Sequence, residues 1–164
     1  MVKFWLLVFV SGVFIGCNSS SSSNSIDETG DDELAIYFPS ADQPFLNLNF
    51  NEEMASIESK LKQNGYQKSG VQELDWANAK TKTQILLTDT EKLSNFRVLF
   101  FDQNEDFYEK LMKKLEKNAI FTQKDEENDG FSHFQFQSKN ADYDLTVFRF
   151  EKSIRLHFKP LALH

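Results

Sequence analysis

Twice along this chain, apolar residues at helical spacing give way to short segments patterned for strands. That repeated change of period limits the possible folds more than any other feature. In the first stretch Met54, Ile57 and Leu61 share one helical face. Asn51 stands where a cap is needed, Glu52 and Glu53 suit the positive end of a helix, and Gly65 supplies a left-handed stop. In the second, Phe107, Tyr108, Leu111, Met112 and Leu115 form the stripe. Asp102, with Glu105 three residues on, reads as a capping-box variant, and lysines crowd the C-terminal half where the dipole favours them.

The strand-like segments are 34–38, 46–50, 66–68, 74–76, 83–88, 95–101, 119–123, 131–137, 143–150 and 153–159. The last alternates cleanly, with Ile154, Leu156 and Phe158 on one side and Arg155, His157 and Lys159 on the other. Ala77 to Ala79 reads as a turn or irregular edge, and Asn140 to Asp142 and Glu151-Lys152 as tight connections. The expectation is an α+β fold. An antiparallel sheet of about seven to nine strands would carry both amphipathic helices on one face. Seventeen Phe residues supply material for a packed core. The order of elements repeats, which suggests a tandem duplication over 45–101 and 102–159. In outline this resembles tandem helix-plus-meander proteins, a likeness of fold that says little about function.

If the helices cover one face, the simplest register leaves Arg97, Leu99, Phe101, Tyr143, Leu145, Val147 and Arg149 on the other. That is too apolar for a bare solvent face. It is either an interaction surface, since exposed apolar patches and Arg-aromatic clusters mark such sites, or a face covered by loops or by the 34–50 segment.

Recognisable chemistry is absent. The net charge of −7, with no basic cluster, disfavours nucleic acid, whose binding requires phosphate neutralisation. Asp125, Glu127, Asp129 and Gly130 resemble the first half of a calcium loop. The place of its bidentate Glu is taken by Phe136, however, and a hairpin turn is the simpler reading. His133, His157 and His164 form no metal-ligand spacing. There is no phosphate loop, dinucleotide fingerprint or nucleophile elbow. The expectation is no catalytic residue, no metal and no cofactor.

The chain's beginning gives an address. Lys3 precedes thirteen mostly apolar residues, 4–16, which end at Gly16 and the single cysteine, Cys17. A membrane span needs roughly 20 such residues, whereas the core of a signal peptide needs about 7 to 15. Phe14-Ile15-Gly16-Cys17 resembles the lipobox of bacterial lipoproteins, with Phe14 in place of the usual Leu. The resemblance implies cleavage before Cys17, diacylglycerol on its thiol and acylation of the new N-terminus. Two or more chains give a stable anchor. Asn18 is not the Asp that retains some lipoproteins at the inner membrane, so outer-membrane placement is expected where a cell has two membranes.

Residues 1–16 are then a signal peptide, 17–32 a Ser-rich acidic tether and 33–164 one α+β domain. The tether is too polar to bury a core and spans about 20 Å as a coil. The expected function is a non-catalytic, membrane-anchored module that binds an envelope or secreted protein, of assembly, inhibitor or immunity type. A carrier of small apolar ligands or lipid is the alternative, and an unrecognised hydrolase a third. Replacing the anchor residue, Cys17→Ser, is expected to move the protein from the membrane fraction to the soluble one. Fractionation with intact-mass measurement checks this, and retention in the membrane would refute the anchor.

Overall fold

The computed structural model describes residues 32–39, 44–70, 74–124, 131–137 and 142–161. The leader, Cys17, the Ser-rich segment up to Asp31 and the calcium-loop candidates Asp125, Glu127, Asp129 and Gly130 lie outside the described residues. The elements in order are α1 (Asp32–Ala35), a 3-10 turn (Phe45–Asn47), α2 (Met54–Gln63), β1 (Gln67–Lys68), β2 (Asp75–Asn78), β3 (Thr83–Leu87), β4 (Phe96–Phe101), α3 (Glu105–Asn118), β5 (Phe121–Lys124), β6 (Phe131–Phe136), β7 (Tyr143–Phe150) and β8 (Ser153–Pro160). The fold is α+β, with all eight strands in one antiparallel sheet.

The strand order is β1-β2-β3-β4-β8-β7-β6-β5. Each half is a helix followed by a four-stranded meander, and the halves meet where the last strand of one pairs with the last strand of the other. Phe96 faces Phe158, Val98 faces Leu156 and Phe100 faces Ile154 in that central pair, and all six are buried. Period-two alternation therefore sends one apolar row from each strand to the same side. On that side lie α2, through Ile57 and Leu61, and α3, through Phe107, Leu111 and Leu115. Lys62 of α2 sits over Trp76, and Phe107 of α3 packs on Phe100.

A strap formed by residues 33–39 and 44–50 completes this layer. Two expected strands fall in it and neither forms. Leu34, Tyr37 and Phe38 are buried while Ala35 and Ile36 are exposed, which is a helical interval; the chain makes α1 and a turn there, with the amides of Tyr37 and Phe38 donating to the Leu34 carbonyl at 3.1 and 2.9 Å. In 46–50, Leu46 and Asn47 have φ of 53° and 57°, so the segment curls instead of extending. Its apolar–Asn alternation reflects Leu46, Leu48 and Phe50 entering the core from a folded-up chain. Phe45 is the hub: it stacks on Tyr37 and touches Phe38, Phe100 and Phe158.

Both helices begin later than the cap residues suggest. Asn51 has φ 63°, and Glu53 is the α2 cap without a side-chain bond. The end of the strap is pinned instead to the β3–β4 connection, where Asn51 donates to the Leu93 carbonyl at 2.8 Å and Leu93 to that of Glu52 at 2.9 Å. Burial pushes the Glu52 carboxyl up, but hydrogen bonds from Lys60 (2.6 Å), Ser56 and the Asn49 amide (3.3 Å) outweigh this and hold it below the usual range. For α3 the cap is Asn104, whose Oδ1 accepts from the Phe107 amide at 2.9 Å; Asp102 sits at φ 52°. Ala77 and Asn78, which read as a turn or irregular edge, extend β2.

Phe45→Ala empties the centre of the strap and is expected to cost about 3–5 kcal/mol, whereas exposed Phe121→Ala changes stability by less than about 0.5 kcal/mol. Urea unfolding at neutral pH measures both. Similar midpoints for the two variants would contradict this placement of the strap.

Candidate functional site on the open sheet face

The opposite face of the sheet carries no helix or strap among the described residues. Its side chains can be read across the strands from the pairing. One row runs Gln84, Leu99, Arg155, Phe148, Phe131. The next runs Leu86, Arg97, His157, Thr146, His133, Gln123. At one end lie Phe101, Ser153 and Phe150, and at the other Lys159, Asp144, Gln135 and Phe121.

Three of the most exposed large apolar residues belong to this face: Phe101 (38%), Phe121 (47%) and Phe150 (48%). The other two exposed large apolar residues, Ile36 and Ile120, lie outside the sheet, so it is the exposed phenylalanines that gather on this face. The rings are ordered against each other and against cations. Phe131 and Phe148 meet edge to face at 5.5 Å, Phe121 lies 6.5 Å from His133, and the Arg155 guanidinium lies 5.2 Å from the Phe150 ring. His133 Nε2 stands 3.5 Å from Asp144 Oδ1, an ion-pair distance without hydrogen-bond geometry. Arg155 Nε and His157 Nε2 are buried and have no hydrogen-bond partner.

Arg97, Leu99 and Phe101 lie on this face as expected from β4. Tyr143, Leu145 and Val147 do not, and their assignment to it is corrected. They are buried in the helix-side core, because the two-residue turn at Glu151-Lys152 pairs Phe150 with Ser153 and so puts Val147 beside Leu156 and Leu145 beside Phe158. Arg149 pairs with Ile154 and belongs to the same side; it reaches Glu105 at the start of α3 and covers the Tyr108 ring at 4.5 Å. The open-face residues of β7 are Asp144, Thr146, Phe148 and Phe150. The signal that finds them, together with Arg155 and His157, is the tight turn: once Ile154, Leu156 and Phe158 point inward, odd positions of β7 must follow them. The described residues of the 34–50 segment, the other candidate cover for this face, pack on the helix side.

Chemically, the face offers aromatic platforms, fixed cations and imidazole. Among the described residues no group of three or more His, Cys, Asp or Glu side chains is placed to hold a metal ion. Comparison with protein-family models, with curated proteins and with solved structures finds no match for this chain.

Burial first, and then the positive charges of Lys159, Arg97 and Arg155, hold His157 below the ordinary imidazole range. In the unfolded chain the same imidazole takes up a proton near 6.5 that the folded chain refuses. Unfolding therefore binds protons, and stability rises with pH in this window. The contribution is fully present above 6.5 and is lost as pH falls through the lower folded value. Urea midpoints between neutral pH and about pH 5 are expected to fall for the wild type and to fall less for His157→Gln. Parallel slopes would refute this.

Proposed function

We propose that this chain is a lipid-anchored envelope protein whose domain binds a protein partner through the open face of its sheet, the outer membrane being the expected site in a two-membrane cell. The observation that carries this reading is the concentration of exposed and half-exposed phenylalanine, together with arginine, on the sheet face that no described residue covers as a second layer. Apolar surface of this kind is costly to leave in water, and aromatic and Arg side chains are those that dominate binding energy at protein interfaces. The lipobox-like leader supports the address, and the Ser-rich segment after Cys17 supplies reach from the membrane. For the competing idea of an apolar-ligand carrier, the space between helices and sheet would have to be lined by Phe. Phe45, Phe50, Phe96, Phe100, Phe107 and Phe158 there pack on one another.

A photoreactive amino acid at Leu99 in the full-length protein, illuminated in cells, is expected to give a discrete protein adduct. Arg155→Ala should weaken the interaction by about thirtyfold, as loss of a hot-spot arginine costs about 2 kcal/mol. The same probe at Lys113, exposed on the outer side of α3, is expected to give none. No adduct at Leu99, or equal adducts at both positions, would count against the reading.

A further inference from the structure

We propose that the partner presents an acidic polypeptide segment carrying apolar side chains, which lies across β4, β8 and β7 on the open face. This deepens the protein-binding reading above and rests on it. Acidic and basic side chains balance among the described residues, sixteen of each, and the excess of the whole chain, 25 acidic against 18 basic, lies outside them. The open face departs from that balance. At its strand positions from β2 to β8 the cations are Arg97, Arg155 and Lys159, and the carboxylates are Asp144 and, at the β2 edge, Asp75, which is buried and accepts hydrogen bonds from Gln84.

The arginines are also uncompensated. Among the described residues neither Arg97 nor Arg155 takes part in an ion pair, whereas Arg149 on the helix side is paired with Glu105. Arg155 is half-buried, lies against Phe150 and faces Phe148 across the β7–β8 ladder. A guanidinium partly withdrawn from water, with a buried Nε that lacks a hydrogen-bond partner, interacts more strongly with a carboxylate than a fully hydrated one does. His157 lies among these cations: burial first, and then the charges of Lys159, Arg97 and Arg155, lower its proton affinity. Leu99 and Phe148 flank Arg155 in one row across the strands. A segment that alternates acidic and apolar residues would meet both kinds of group, and like charge would turn away basic segments.

Selection of random displayed peptides on the full chain, carried as the Cys17→Ser form, tests this. The expected result is enrichment of net-acidic peptides with aliphatic or aromatic residues. These should bind the Arg97→Glu, Arg155→Glu double variant at least about tenfold more weakly at an unchanged melting temperature. If charge reversal unfolds the domain, the double alanine variant gives the same comparison. Enriched peptides without acidic bias, or acidic peptides that bind the variant equally well, overturn the acidic partner while leaving a protein-binding face in place. Absence of any enrichment also overturns it, and the Leu99 crosslink then decides the broader reading separately. Self-association through this face in sedimentation, or binding of anionic lipid vesicles in preference to acidic peptides, overturns it as well.

Discussion

The pairing of β4 with β8 holds this molecule together. Every other strand contact joins neighbours in sequence, within one meander or the other. The central pair alone makes the two meanders one sheet, and it does so with large rings: Phe96 and Phe158 are register partners whose rings stack at 4.5 Å with planes 8° apart. The strap then docks on that seam. Phe45 touches Phe158 from one half and Phe100 from the other, and Phe50 touches Phe96 and Tyr143. The segment that precedes α2 is therefore part of the joint between the halves.

Among the described residues all the covering material lies on one side. A sheet of eight strands needs a layer on at least one face to bury its apolar row, and two helices leave a gap at the seam. The strap fills that gap with Phe45, Leu46 and Leu48. Among the described residues nothing comparable is left for the reverse face, so its half-buried Leu and Phe side chains rely on neighbours within the sheet. The β-sheet that organises the core thereby presents a broad aromatic and cationic surface on its back.

How legible this was depended on which physical signal each part used. Strands β3, β4, β6, β7 and β8 were readable within a residue or so of their ends, because alternation and flanking turns are local. The α2 and α3 stripes were readable for the same reason, although their caps were not: Asn51 and Asp102 adopt left-handed backbone, and Asn104 does the capping of α3. The strap was misread as strands because its periodicity is that of a chain folding over a core with no regular period, and Leu46 at positive φ has no simple sequence signature. The candidate surface was half legible. Arg97, Leu99 and Phe101 follow from β4 alone, whereas Tyr143, Leu145, Val147 and Arg149 needed the β7–β8 register. A slip of one residue in such a register exchanges the two faces of a strand, which is why the error took all four together.

The position of β8 has a consequence for how the domain is made. The last strand in sequence occupies the middle of the sheet, so a chain emerging from its N-terminal end has an unfinished edge at β4 until nearly the whole domain has been synthesised. Closing that seam joins residues far apart in sequence, the kind of contact that slows folding. During that interval Phe96, Val98 and Phe100 have their β3 partners but no neighbour on the β8 side. Late completion of the central seam leaves the first meander unjoined to the second for most of the time the chain takes to emerge.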